Sequence, residues 1–407
     1  MRFTSVTTAL ASLSVNHKHA TATGPEPDKL RLVVLFGGRS AEHDVSCVSA
    51  RHVIAAVDRQ KYLIEPVGIT RTGRWVQPLQ ASETLSCDPE ALGEKLSATG
   101  PEIDPFAALT GSRSRDRNAQ QSATPDCVVL PILHGPMGED GTVQGLLELA
   151  QVPYVGASVL ASALCMNKAA TKIVLAAAGI TQTDWLNFTL DDPDASDSQL
   201  NKAIEAVVGY LGLPVFIKPA NMGSSIGITK ASTRSEVAEG LRSACLYDRA
   251  LVVEQHCVAR EIEVAVLGNE TLEASLPGEI IAGSDFYDYS DKYGNGAELL
   301  IPAPLSDTEI ETCQNLALDA CLALGVEGLA RVDFFYEDGC NGRGERGWLV
   351  NELNTMPGFT PISMYPKLWS ISGLDYRGLI DRLVKLALQR YRRRQRHGST
   401  DAPAKTP

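Results

Sequence analysis

No apolar run in the 407-residue chain approaches the ~20 residues of a membrane-spanning helix, so no membrane partner is expected. Cysteine is sparse in pattern rather than number: nine residues, an odd count, with no C-x-x-C pair. That argues against a disulfide framework or structural zinc, and for buried free thiols in a reducing, cytoplasmic setting. The seven histidines never fall at H-x-x-x-H or a similar ligand spacing. Any metal is therefore expected to be a hard ion held by oxygen. Positive charge is in deficit, 37 Lys and Arg against 49 Asp and Glu, for a net −12. This argues against a nucleic-acid partner gripped through its phosphates, although a local Lys and Arg cluster could still serve an anionic substrate. Solenoid-length repeats are also missing.

What remains is an ordinary globular composition, long enough for two or three domains. Residues 1–29 are rich in Thr, Ser and Ala, with no acid before Glu26. They read as a disordered extension, an over-extended start or a transit peptide. Leu30 to Phe36 is a continuous apolar run ending in Gly37 and Gly38, as in a parallel strand buried on both faces. Ser40 offers an N-cap for a helix through Val57, and a second strand is expected over Tyr62 to Ile69. Together these begin a doubly wound α/β unit, whose ligands sit beyond the carboxyl ends of its strands. Residues 77–125 lack periodicity and read partly as a variable insertion. A strand over Asp126 to Leu133, a helix through Val143 to Ala150 and a last strand over Val152 to Val155 complete this unit.

A helical stretch from Ser158 to Gly179, a loop over Asp191 to Ser198 and a strand over Pro214 to Lys218 follow. Beyond Arg249 the pattern suits antiparallel strands at 251–254, 261–267, 331–336 and 348–354, with a helix over 307–324 between the second and third. The expected divisions are 30–157, 158–250 and 251–390. The basic segment after Leu388 reads as a frayed helix end, and 391–407 as a disordered tail.

The most informative chemistry lies in two late strands. In RVDFFY (331–336) the period of two puts Arg331 and Asp333 on one face; in WLVNELN (348–354) it does the same for Glu352 and Asn354. If these strands pair through the Gly-rich connection 338–347, two carboxylates, an amide oxygen and an arginine face one cavity. Such oxygens suit magnesium, which bridges carboxylates to phosphates. Exposed polar positions on a half-solvated sheet are the plainer reading, but the adjoining NTMPGFTP loop (354–361) favours the metal. Upstream, FIKPANMGSSIG (216–227) ends a strand in Lys218 and continues into a small turn containing Ser224 and Ser225. Backbone N–H groups in such a turn can wrap a polyphosphate while the lysine neutralises it. The G-K-[ST] order of a Walker loop is missing. CMNKAATK (165–172) adds Lys168, and Glu254 and Glu261 flank a short connection where adenine and ribose could bind. Taken singly, these are equally well solvent-exposed lysines and turn acids.

In this order the elements resemble the ATP-grasp superfamily and, more closely, the D-alanine–D-alanine ligases, over about Leu30 to Leu388. Segments that carry the resemblance are FGGRSAEHDVS (36–46), LHGPMGEDGTVQG (133–145), FYDYSDKY (286–293) and the metal hairpin with its loop. The resemblance implies a Rossmann-like N-terminal domain followed by a two-lobed ATP-grasp fold, an α/β and α+β architecture. It also implies ATP and two magnesium ions, for which manganese can substitute, D-alanine in two sites, and a homodimer. Carried over by position, Glu42 holds the first D-alanine ammonium, with Ser224 and Tyr293 bonded to it. Lys168, Lys218, Ser225 and Lys292 hold phosphates, and Glu254 and Glu261 contact adenine and ribose. Asp333, Glu352 and Asn354 hold metal. Arg331 and the Gly358 N–H stabilise an oxyanion, and Ser363 with Met364 receives the second carboxylate. Two departures are visible: Asn167 where many members carry Asp, and Gln255 where some have Lys. Neither supplies a metal oxygen or an essential base.

Four other functions compete with this reading. A D-lactate-using relative normally lacks the pair present here as Lys292 and Tyr293, and a D-serine-using one is a further alternative. A non-catalytic nucleotide-binding protein should have lost one of Asp333, Glu352, Asn354 or Arg331. An NAD-dependent dehydrogenase needs G-x-G-x-x-G after the first strand, which is absent.

Overall fold

The computed structural model describes residues 29–79, 81–82, 93–110, 125–281, 298–340 and 342–398. The expected site residues Lys292 and Tyr293, most of the 1–29 extension and much of the 77–125 segment lie outside these.

The first sheet contains β1 (Leu30–Gly37), β2 (Tyr62–Ile69), β3 (Trp75–Val76) and β4 (Cys127–Ile132), in the order β3-β2-β1-β4. β1 runs parallel to both β2 and β4, with β3 antiparallel at the edge. Both faces of β1 are covered: Leu32, Val34 and Phe36 enter one core, Val33 and Leu35 another. That explains its unbroken apolar run. Helix α1 (His43–Ala56) follows β1, and α2 (Pro105–Thr110) and α3 (Thr142–Leu149) flank β4. Ser40 does not cap α1. Its hydroxyl donates to the His134 carbonyl at 2.6 Å, and Glu42 takes the cap position without its side chain bonding the first turn of the helix. The expected strand over 152–155 is reduced to one parallel bridge, Val129 to Tyr154.

The expected helix 158–179 is two helices, α4 (Val159–Met166) and α5 (Lys168–Ala177), bent by 103°. The break is made by Asn167, whose Oδ1 accepts from the Ala170 N–H at 2.9 Å and starts a new helix. No single helix among the described residues is long and apolar enough to cross a membrane. The second sheet has the order β5-β8-β6-β7, from β5 (Trp185–Thr189), β6 (Val215–Pro219), β7 (Thr229–Ala231) and β8 (Ala250–Gln255). Helices α6 (Asp197–Tyr210) and α7 (Arg234–Cys245) cover it. Because β8 pairs between β5 and β6, a division after residue 250 falls inside this sheet. Helix α6 also begins inside the expected 191–198 loop.

The third sheet follows the path β12-β11-β9-β13-β14, with β10 against β9. Its strands are β9 (Arg260–Gly268), β10 (Leu272–Ala274), β11 (Gly278–Ile281), β12 (Glu298–Leu300), β13 (Gly328–Glu337) and β14 (Gly347–Asn354). α8 (Asp307–Ala323) packs with α4 and α5 on one face. α9 (Met364–Ile371) and α10 (Tyr376–Gly398) join the opposite face to the first sheet. The sequence reading of a frayed, solvated tail after Leu388 is corrected here, since α10 continues to Gly398. Arg390 is buried and donates to the carbonyls of Gly156 and Tyr154, while Arg393 meets Glu270 and Glu327. These acceptors come from distant segments, which is why the charge run alone suggested solvent.

Candidate active site

The expected strand pair forms. In the β13–β14 ladder Arg331 stands opposite Asn354 and Asp333 opposite Glu352, with an irregularity after Asp333. On the other flank Asp333 faces Glu263 of β9. Three acids thus lie in a row across three strands, an arrangement that like-charge repulsion disfavours unless cations intervene. Arg331 supplies one: its Nε and Nη2 donate to the two Asp333 oxygens, each at 2.7 Å, and Nε lies 3.0 Å from Glu263 Oε2. Lys168 supplies another, 3.5 Å from Glu352 Oε2. Burial opposes the Arg331 charge, but Asp333 and Glu263 more than offset it, so its pKa stands well above the usual value.

Among the described residues no three His, Cys, Asp or Glu side chains converge as a metal cage. The available donors are two carboxylates and the Asn354 amide, whose Oδ1 also accepts from the Met356 N–H at 3.0 Å. A sparse, all-oxygen donor set fits a hard divalent ion that completes its shell with phosphate and water.

Lys168 opens α5 and braces the glycine-serine loop, its Nζ donating to the Met222 carbonyl at 2.7 Å. In that loop Ser224 and Ser225 adopt φ of +51° and +58°, left-handed values uncommon for serine. The loop also packs over two acids. A Cβ placed on Gly223 would lie 3.5 Å from Glu42 Oε2 and 3.9 Å from Glu139 Oε1. At β6, Lys218 Nζ donates to Glu254 Oε2 at 2.7 Å, and Lys172 Nζ sits 3.2 Å from Glu254 Oε1. Burial pushes the Glu254 carboxyl up, but the two ammoniums outweigh it and hold its pKa at about 2. Lys218 is raised above its ordinary value, burial being overcome by Glu254.

At the other end, Ser224 Oγ donates to Glu42 Oε1 at 2.5 Å, joining the central loop to the N-terminal sheet. Glu139, from the loop after β4, accepts from the Gly135 N–H at 2.6 Å. Its pKa is pushed up to about 8, first by burial and then by Glu42. His134 spans the domains: Nδ1 bonds the Met356 carbonyl at 3.0 Å and Nε2 lies 3.3 Å from Ser49 Oγ. With Nδ1 donating to that carbonyl, Nε2 is left to accept from the serine. Burial lowers the His134 pKa, against the pull of Glu42. Gly358 lies against Ser363, since a Cβ there would be 3.1 Å from Ser363 Oγ; Ser363 stands at the N-terminus of α9.

These groups line two adjoining chambers. Glu42, Asn354, Gly358, Ser363 and Met364 face the first. Lys218, Ser225, Glu254, Glu261 and Asp333 face the second. Lys168, Ser224, Arg331 and Glu352 belong to both. All fourteen expected site residues among those described are therefore brought to one cavity; Lys292 and Tyr293 lie outside the described residues. Sequence reasoning assigned nothing to Lys172, Glu263, Glu139 or His134. Lys172 follows Lys168 by one helical turn and Glu263 follows Glu261 at strand period, so both carried a usable signal. The two departures are accommodated. Asn167 caps α5 and donates to Asn221, and Gln255 accepts from Arg346 at 2.9 Å.

Comparisons with known proteins agree over nearly the whole chain. The family model described as "D-ala D-ala ligase N-terminus" matches residues 31–157, and "D-ala D-ala ligase C-terminus" matches 174–385. The D-alanine–D-alanine ligase of Thermoanaerobacter sp. (strain X514) is 44% identical over 370 residues, covering 89% of this chain and 97% of that protein. The one from Clostridium acetobutylicum is 45% identical, with 89% and 99% covered. Among solved structures, the D-alanine-D-alanine ligase of Coxiella burnetii superposes with a TM-score of 0.71 at 36% identity, covering 91% and 98% of the two chains. The VanG D-Ala:D-Ser ligase of Enterococcus faecalis reaches 0.70 at 31%, covering 88% and 99%.

Proposed function

The chain belongs to the D-alanine–D-alanine ligase family, and from that premise we propose how its cavity works. It is an ATP-dependent ligase of the ATP-grasp fold that joins two D-alanines for peptidoglycan synthesis. The observation that carries the residue assignment is the wall shared by both chambers, where Lys168, Arg331 and Glu352 stand between an acid-lined end and a lysine-lined end.

A carboxylate is a poor acyl donor, because an amine attacking it would have to expel oxide. In the proposed reaction a carboxylate oxygen of the first D-alanine attacks the γ-phosphorus of ATP, and ADP departs. The acyl phosphate is then attacked at its carbonyl carbon by the second amine. Inorganic phosphate leaves with the original carboxylate oxygen; of the two protons the ammonium loses, one ends on the phosphate and the other goes to solvent. Glu42, oriented by Ser224, receives the first ammonium. Lys168 and Lys218 offset repulsion between the attacking carboxylate and the polyphosphate. Asp333, Glu352 and Asn354 would hold a divalent metal, magnesium or manganese. That metal, when bound, supplies further neutralisation of phosphate charge. Arg331 and the Gly358 N–H face the oxyanion of the tetrahedral species, and Ser363 at the α9 N-terminus takes the second carboxylate. Glu254 and Glu261 serve adenine and ribose, and Lys292 and Tyr293 keep the roles that the resemblance implies, on phosphate and beside Glu42.

We divide the chain into an N-terminal unit to residue 157, a central lobe carried on to Gln255 so that β8 stays with its sheet, and a C-terminal lobe beyond. A cytoplasmic homodimer is the expected form; the eight described cysteines, all free thiols, suit that compartment.

The likeness to a D-serine-using ligase favours one second reading, D-serine as acceptor. Phosphate release from ATP should be measured with D-alanine alone, L-alanine alone, and D-alanine plus D-serine or D-lactate, with products identified by mass. The proposal expects D-alanyl-D-alanine from D-alanine alone. Turnover only when D-serine or D-lactate is added would replace it.

A further inference from the structure

We propose that Lys172 is a positioning residue for the nucleotide, keeping Glu254 compensated when Lys218 leaves that carboxylate for a phosphate. The proposal rests on the nucleotide reading of this end of the cavity. Its basis is a buried three-membered array in which only one cation can be reached. Glu254, 3% exposed, lies between Lys218 Nζ at 2.7 Å and Lys172 Nζ at 3.2 Å. Lys218 lines the second chamber. Lys172, 1% exposed, is not among the side chains lining either chamber. An entering phosphate can therefore recruit Lys218 and cannot touch Lys172.

The need for a second cation follows from desolvation. A buried carboxylate stripped of its only partner is strongly unfavourable. With Lys218 alone, phosphate and Glu254 would compete for one ammonium. With Lys172 behind it, Glu254 retains a partner, and the array offers phosphate its one surplus positive charge. Burial holds the Lys172 pKa below its ordinary value, and Glu254 is the main group that opposes this.

Helix α5 makes the arrangement by placing two lysines one turn apart. Lys168 reaches the cavity, 3.5 Å from Glu352, and Lys172 reaches the back of Glu254. The Lys172 carbonyl is tied down by the Gln182 amide at 3.0 Å, which fixes the helix end against the strand region that follows.

Titration of the full chain with magnesium-ADP and, separately, with adenosine tests this, because adenosine makes no demand on Lys218. Lys172→Met should weaken ADP at least tenfold while changing adenosine affinity less than threefold. In a Glu254→Gln background the same substitution should change ADP affinity less than twofold, since the charge that Lys172 balances is gone. This second comparison also serves if Lys172→Met alone does not fold. Equal losses for ADP and adenosine, an undiminished ADP affinity in Lys172→Met, or a tenfold ADP loss persisting in the Glu254→Gln background would each overturn the proposal. Undiminished ADP binding in Lys218→Met would instead overturn the nucleotide reading beneath it.

Discussion

The two ends of the cavity each bury a glutamate, and they treat its charge in opposite ways. Glu254 is 3% exposed and Glu139 is 8% exposed, so both have lost nearly all their water. Held between Lys172 and Lys218, Glu254 stays ionised with its pKa at about 2. Next to Glu42, with one backbone N–H from Gly135, Glu139 is pushed up to about 8. Burial is shared, so the sign of the neighbours decides the outcome. The lysine end carries surplus positive charge suited to a phosphate. The acid end carries surplus negative charge suited to an ammonium, with Glu139 keeping a proton until a cation arrives. The reacting atoms of an amino acid and a nucleotide would meet between them, at Lys168, Arg331 and Glu352.

The largest effect is expected at that meeting point. Glu352→Gln should lower kcat/KM by roughly 1000-fold, about 4 kcal/mol, by weakening metal binding. Its melting temperature should stay close to wild type, and retention of more than about a tenth of the activity, a 1.4 kcal/mol effect, would contradict a metal-holding role.

Next comes the pH dependence of stability, where the two glutamates should part company. Below 4.5 the Glu139 carboxyl is protonated in folded and unfolded chains alike; between 4.5 and about 8 only the folded chain keeps the proton. Its contribution therefore becomes less favourable as pH rises through that window. Urea titrations should show Glu139→Gln gaining about 2 to 4 kcal/mol on wild type between pH 5 and pH 8. For Glu254 the sign reverses: its stabilisation is present above 4.5 and fades as pH falls towards 2. Glu254→Gln should thus be the less stable chain at neutral pH, with the deficit closing in acid. Parallel curves for the two variants would break the comparison.

A smaller change tests the division of labour. Glu42→Gln should raise the KM of the first D-alanine about 30-fold, about 2 kcal/mol for a charged hydrogen bond, and leave the KM of ATP unmoved. An equal rise for ATP would show the ends are not separate. Smallest is Ser224→Ala, which removes the bond to Glu42 and should raise the same KM about fivefold, about 1 kcal/mol.

The ends also differ in how far the sequence disclosed them. Arg331 with Asp333, and Glu352 with Asn354, are two apart on neighbouring strands, so a period of two and a Gly-rich connection were enough to assemble them. The Lys172, Lys218 and Glu254 array draws on a helix and two strands, and no local period links its members. Lys172 received no role because its burial depends on a partner 82 residues away (254 − 172). The same limit explains the misread helix starts. Ser40 satisfies the N-cap pattern, yet His134 of another loop takes its hydroxyl. Asn167 sits inside a continuous helical periodicity and breaks it by capping the next helix.

The central claim is that a carboxylate at the acid end is phosphorylated by ATP from the lysine end before an amine arrives. The most direct measurement uses D-alanine labelled with oxygen-18 in its carboxyl group, followed by mass analysis of the released phosphate. One labelled oxygen in each phosphate, with ADP unlabelled, is the predicted result. Labelled AMP accompanied by unlabelled pyrophosphate, or dipeptide formed with no transfer of label to phosphate, would contradict it.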